Sequence, residues 1–146
     1  MDLYGYLSTV TAGYDQSAGL NTPTQQLLRG ASEHIGHLVP LGMTVLGSGG
    51  KGTATFTPWI GILDPDETEG PNHGIYPVYI WSQDLQLIAL SLNQGIQALQ
   101  KIHGYAGARS RLRDDADAIH AELPAELLVN FSDPLDLRSE GQRQLS

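Results

Sequence analysis

Between residues 47 and 92 the chain sets threonines, β-branched residues and aromatics between Gly, Pro, Asn and Asp, and this pattern leaves little choice of fold. Such side chains fit a pleated surface, and such breakers turn it, so the stretch predicts strands and tight turns. It opens on Gly47-Ser48-Gly49-Gly50-Lys51-Gly52 and runs into Thr53-Ala54-Thr55-Phe56-Thr57-Pro58-Trp59-Ile60-Gly61-Ile62-Leu63. An acidic turn follows, then Gly74-Ile75-Tyr76-Pro77-Val78-Tyr79-Ile80-Trp81 and residues 85–92. The fold class read from this is α+β: a small antiparallel sheet of about three to five strands packed against flanking helices.

The helices are marked by their starts. Asp2 is placed to cap a helix in which Leu3, Leu7 and Val10 share a face. Thr22 caps a second, with Pro23 in the first turn and Gln25 completing a capping-box pattern; Leu28, Ala31, Ile35 and Leu38 form its apolar side, and Pro40 limits it. Met43 to Leu46 read as a first strand leading into a glycine loop. Residues 75–81 and 85–92 read as a hairpin joined at Ser82-Gln83-Asp84. Its second strand is apolar on both faces, as expected near the middle of a covered sheet. Ile96, Leu99 and Ile102 begin a helix broken near residues 104–107, and Leu112, Ala116, Ile119 and Leu123 share a face of the next. After Pro124 the pattern weakens through Leu127, Leu128, Val129 and Phe131.

At 146 residues the chain fits a single domain, 1–146, able to bury its own core. It has no cysteine, so disulfide and thiolate chemistry are excluded. No apolar run reaches the ~20 residues that span a bilayer, and no cationic start precedes an apolar block, so a cytoplasmic protein without a secretory leader is expected. The net charge of −8 argues against nucleic acid, whose affinity draws on Lys and Arg. The charge is uneven, however: acids are missing from residues 34–63 and 85–113, and the second window carries Lys101, Arg109, Arg111 and Arg113. An acidic chain can thus present a neutral-to-basic face; a solvated mixed surface is the commoner outcome.

Several chemistries fail on spacing. Lys51 is followed by Gly52 and a strand-like run, which is no phosphate-binding P-loop. Asp64, Asp66, Glu67 and Glu69 lack the alternating ligands and central glycine of a calcium loop and read as a solvated turn. His34 and His37 lie three apart on a helix with no third ligand near, so no metal site is expected.

The run Gly50-Lys51-Gly52-Thr53-Ala54-Thr55-Phe56-Thr57-Pro58-Trp59, followed by Asn72-His73-Gly74-Ile75-Tyr76-Pro77-Val78-Tyr79-Ile80, resembles the N-terminal domain of the McrB-type modification-dependent (type IV) restriction systems. Leu90-Ser91-Leu92-Asn93-Gln94-Gly95 resembles the wider branch of that family. The likeness covers residues 41–95 well, and the flanking helices match in pattern. It implies a bacterial phage-defence module that binds double-stranded DNA carrying 5-methylcytosine, 5-hydroxymethylcytosine or a similar base. The base is flipped into an aromatic pocket, and a nuclease domain or subunit elsewhere acts on the DNA. No enzyme activity, cofactor or membrane partner is implied for this chain, which would be the front part of a larger restriction protein. Carried over by position, Trp59 and Tyr76 fall on pocket aromatics, Ile80 on an aliphatic wall and Thr55 beside the base. Gly50, Lys51, Gly52 and Thr53 fall on the loop that enters the DNA, and Lys101, Arg109, Arg111 and Arg113 are candidates for phosphate contacts. Lys51 stands where the family pattern has an aromatic, and lysine contacts phosphates or base acceptors instead of stacking.

Without the resemblance, Trp59, Tyr76 and Ile80 read as core residues. Two other functions stay open: a protein-interaction or regulatory domain of a defence system without DNA reading, favoured by the negative charge and Lys51, and a metal-dependent hydrolase built on the 64–69 acids.

Overall fold

The computed structural model describes residues 1–68, 70–95, 97–128 and 136–138. Helix α1 (Leu3–Gly13) starts at Asp2, whose carboxylate accepts from the Gly5 N–H at 2.6 Å. Helix α2 (Pro23–Arg29) starts at Thr22, whose hydroxyl accepts from Gln25 N–H at 3.2 Å, with Pro23 in the first turn. Both caps satisfy N–H groups that a helix start leaves without partners. The second helix does not run through to Leu38: it breaks at Gly30, resumes as α3 (Ala31–Ile35) and tightens to a 3-10 turn (Gly36–Leu38). Leu28, Ala31 and Ile35 are buried as the spacing predicts, whereas Leu38 is exposed.

The sheet is a four-stranded antiparallel meander in the order β1 (Thr44–Lys51), β2 (Thr53–Leu63), β3 (Ile75–Trp81), β4 (Ile88–Gln94). This bears out the α+β expectation. The glycine run is corrected from loop to strand. β1 passes through Gly47, Gly49 and Gly50, and the turn falls at Gly52. A Cβ at Gly47 would collide with the Leu28 carbonyl, and one at Gly49 with the Gln25 side-chain amide. Helix α2 therefore lies against β1 at a distance that only glycine permits. Gln25 also departs from the capping-box expectation: its side chain is buried and donates from Nε2 to the Gly49 carbonyl at 3.0 Å.

Directly paired residues share a face of a sheet. Gly47 pairs with Ile60, Ile60 with Tyr79, and Trp81 with Ile88, so Val45, Ile60 and Trp81 face the helices. There they join Tyr6, Val10, Tyr14, Leu28, Ala31 and Ile35 in the main core. Trp81 is fully buried, and its indole N–H donates to Thr11 Oγ1 at 2.8 Å. The opposite face carries Leu63, Tyr76 and Val78 in a second cluster with Trp59 against it.

The expected middle-strand position of residues 85–92 is also corrected. β4 is an edge strand, beginning at Ile88, and Leu90 and Leu92 are 47% and 43% exposed. An apolar run is ambiguous between a covered middle strand and an edge, and chain topology decides it here. Helix α4 (Gln97–Glu122) is interrupted at Gly104 (φ 71°), inside the predicted break, and a short α5 (Ala125–Leu128) follows. Gln94 Nε2 donates to the Leu112 carbonyl, tying α4 to the end of β4. Ile96, Val129 and Phe131 lie outside the described residues. No helix among the described residues is long and apolar enough to cross a membrane.

The β3–β4 turn is closed by Asp84. Its carboxylate accepts from the Ser82 hydroxyl at 2.7 Å, the Arg138 guanidinium at 2.8 Å and the Gln86 N–H at 3.1 Å. Those bonds, Ser82 first and Arg138 next, hold its pKa at about 2, below the ordinary 3.8. A carboxylate with a lowered folded-state pKa stabilises above the unfolded value and loses that contribution as the pH falls toward the folded one. Docking of residues 136–138 on the turn is therefore expected to be intact at pH 5 and to weaken between about pH 4 and 2. An NMR titration checks this: the Gln83 amide, bonded to the Leu137 carbonyl at 2.9 Å, should shift with that midpoint, and in Arg138→Gln the midpoint should move up.

Candidate functional site

The site grows out of an irregularity in the first hairpin. Ser48 pairs with Trp59, but the next pair is Gly50 with Ala54, so residues 55–58 bulge from β2 without partners on β1. A bulge re-aims side chains and bends its strand. Pro58, which has no N–H to give a ladder, sits in this one and is fully buried. Gly50 takes φ 121°, and a Cβ there would strike the Thr53 carbonyl, so glycine is required where the bulge closes.

Carbonyls freed by a bulge need partners. Tyr14, at the end of α1, places its hydroxyl 2.6 Å from the Thr55 carbonyl and 3.1 Å from that of Gly49, which also accepts from Gln25. Burial pushes the Tyr14 phenol up, against the opposing effects of Gln25 and the Thr55 carbonyl, and so keeps it a donor. Two buried side chains from the helical layer thus clamp the base of the hairpin. Thr57 N–H closes the bulge onto Thr55 Oγ1 at 3.3 Å.

Beside the bulge is an open hollow of about 500 Å³. Trp59 and its cross-strand partner Ser48 line it together with Gly50 of β1. Lys51, Thr53, Ala54, Thr55 and Phe56 line it as well, and among the described residues Lys51 is the one charged residue in the lining. Trp59, Thr55 and three of the four predicted loop residues are therefore brought together. Gly52 lines a neighbouring hollow instead, one that shares Thr53, Ala54 and Phe56.

Tyr76 and Ile80 are on the same sheet face as Trp59, since Trp59 pairs with Ile80 and Gly61 with Val78. They are not in the lining of the hollow. Ile80 is half-buried beside Trp59. Tyr76 is only 3% exposed; its hydroxyl donates to the Pro71 carbonyl and accepts from the Asn93 amide, both at 2.8 Å. The turn around Pro71 lies against it, held by buried Thr68, whose hydroxyl donates to the His73 carbonyl. Burial pushes the Tyr76 phenol up, partly offset by Asn93. Its ring serves as the plug between that turn and the sheet.

Lys101, Arg109, Arg111 and Arg113 are exposed on α4, and Arg111 pairs with Asp115 at 3.2 Å. The helix is tied to the sheet at Gln94, opposite Ile75, whereas the hollow is at the Ile80 end. Five residues of strand separate those ends, about 17 Å. None of the four cations is among the residues that line the hollow.

Phe56 was not singled out by the sequence reading. A half-buried aromatic that joins neither core cluster is its structural signature, and a phenylalanine set between threonines was the available signal. Among the described residues no group of three or more His, Cys, Asp or Glu could hold a metal. Asp64 turns inward on its own loop and accepts from the Asp66 N–H; Glu69 lies outside the described residues. His34 lies against the Tyr6 ring, centroids 6.1 Å apart.

A family model described as MrcB-like, N-terminal domain, matches residues 16–146, most of the chain. The chain belongs to that family. The match spans the clamped hairpin, the whole sheet and α4, and it bears out the resemblance drawn from the residue 50–59 and 72–80 motifs. Comparison with curated proteins and with solved structures finds no match.

Proposed function

We propose that this chain is a DNA-binding specificity domain that recognises a modified base, such as 5-methylcytosine or 5-hydroxymethylcytosine, and directs a restriction nuclease located elsewhere. The observation that carries the reading is Trp59: a half-buried indole on the sheet face away from the helices, walling an open hollow beside Lys51 at the hairpin tip. Membership of the MrcB-like family supports it.

The energetics are consistent. Turning a base out of a duplex costs a few kcal/mol. Stacking on an aromatic ring returns about 1–3 kcal/mol per base, so Trp59, with Phe56 also in the lining, can offset the cost. A methyl on cytosine C5 adds about 0.8 kcal/mol when buried, roughly a fourfold preference. Lys51 brings charge to the hollow, and Lys101, Arg109, Arg111 and Arg113 on α4 stay candidates for phosphate contacts away from it; with a net charge of −8, affinity for plain duplex is low. The role of Tyr76 in this reading is to fix the sheet beneath the site, with Ile80 packing beside Trp59.

Fluorescence anisotropy on matched duplexes with cytosine, 5-methylcytosine or 5-hydroxymethylcytosine tests the proposal. Tighter binding to a modified duplex, by about fourfold or more, is expected. Equal affinities for all three sink it. The exposed Leu90 and Leu92 on edge strand β4 favour a second reading, a protein-interaction domain, which absence of DNA binding at low salt together with capture of a partner chain would support.

A further inference from the structure

The sheet has two edges, and the sequence treats them differently. The β1 edge is broken by the irregular register between Ser48 and Gly50 and ends on Lys51; a bulge and a lysine both blunt an edge against further pairing. β4 has neither. Its register with β3 is unbroken from Ile88 to Gln94, it holds no proline, and no charged residue occurs from Leu85 to Gly95. Among the described residues β3 is its only strand partner, so the outward N–H and C=O groups of β4 are a template for another strand. Leu90 and Leu92 stand exposed on that edge, beside Tyr79 and Pro77 of β3.

The strip is complementary to itself. A two-fold axis through Ser91 sets Leu90 against Leu92 of an antiparallel copy, Ala89 against Asn93 and Ile88 against Gln94, and each pair occurs twice. Charge then chooses the occupant. Two chains of net charge −8 repel, and they meet at least cost where the contacting strands, Ile75–Trp81 and Ile88–Gln94, carry no charge at all. A seven-residue ribbon is about 23 Å long and covers less than the roughly 800 Å² per partner of a standard interface, so the contact is weak and reversible.

We propose that β4 pairs antiparallel with β4 of a second copy, centred on Ser91, and joins the two four-stranded sheets into one. The dimer does not depend on the proposed DNA-reading function, but it bears on it. An axis normal to the sheet leaves both Trp59 hollows on one face. Trp59 is level with Ile80 and Ala89, so the two indoles lie five strand spacings across and four residues along from each other, about 27 Å apart. One turn of duplex, about 34 Å, spans that distance.

Sedimentation equilibrium of the whole chain without DNA is expected to show monomer and dimer, with a dissociation constant on the order of 10–100 μM. Leu90→Lys/Leu92→Lys sets lysine against lysine at both central pairs and should weaken the dimer at least about tenfold. Leu90→Lys/Leu92→Glu sets lysine against glutamate in this register and should restore it, which loose association through exposed leucines would not do. Both positions are exposed, so thermal melts of the variants should stay near that of the wild type. In the wild-type chain, amide exchange at residues 88–94 should slow as concentration rises, a readout that needs no variant. A chain that stays monomeric about tenfold above the expected constant overturns the proposal and leaves the edge to a strand of another protein. A dimer untouched by the paired lysines, or β4 exchange independent of concentration, overturns it as well.

Discussion

Replacing Trp59 by alanine is expected to lower affinity for duplex carrying the modified base by about 5- to 150-fold, with the chain still folded. The range follows from about 1–3 kcal/mol for a base stacked on an aromatic ring. The fold survives because Trp59 is half-buried and packs at the edge of the Leu63, Tyr76 and Val78 cluster, so truncation costs about 1 kcal/mol. Trp81→Ala provides the contrast. Its ring is fully enclosed by the main core and its N–H is bonded to Thr11, so removal costs about 3–5 kcal/mol and lowers the melting temperature sharply. Anisotropy and thermal denaturation on both variants separate the roles: one tryptophan should govern binding and the other stability. A Trp59→Ala chain that binds modified DNA as the wild type does would remove the indole from the site.

This division between two tryptophans shows what a sequence can and cannot disclose. The alternation along β3 assigns Tyr76, Val78 and Ile80 to one face and Tyr79 and Trp81 to the other, and pairing with β2 puts Trp59 on the first. What alternation omits is cover. The turn around Pro71 takes up the Tyr76 hydroxyl and the residue is withdrawn from solvent, and no local pattern signals that. Helix starts were legible because a cap is a bond between near neighbours, as at Asp2 and Thr22. The glycine run was not, because glycine serves loops and close approaches equally well. Its meaning lies in α2, some twenty residues earlier. Phe56 was missed for a related reason: the bulge at residues 55–58 breaks the period of two on which strand reading depends. The bulge that hid it also forms the hollow.

Gly47→Ala is the substitution expected to disturb the frame most for its size. A methyl at this position points into the Leu28 carbonyl and lies 3.1 Å from the Ala31 methyl, so backbone must move to admit it. Overpacking of this kind costs about 3 kcal/mol. Helix α2 would lift from β1 and draw Gln25 away from the Gly49 carbonyl, loosening the clamp on the hairpin. Gly52→Ala is the control at the turn. Nothing lies within 4 Å of its added carbon, but its φ of 78° is costly for an L side chain, by about 1–2 kcal/mol. Urea denaturation should rank Gly47→Ala below Gly52→Ala in stability, with similar slopes. Amide exchange at residues 49–55 should also be faster in Gly47→Ala, since its damage reaches the hairpin through Gln25. Equal stability of the two variants would mean that helix and strand can part freely at Gly47, and the rigid placement of the hollow beside Trp59 would then need another cause.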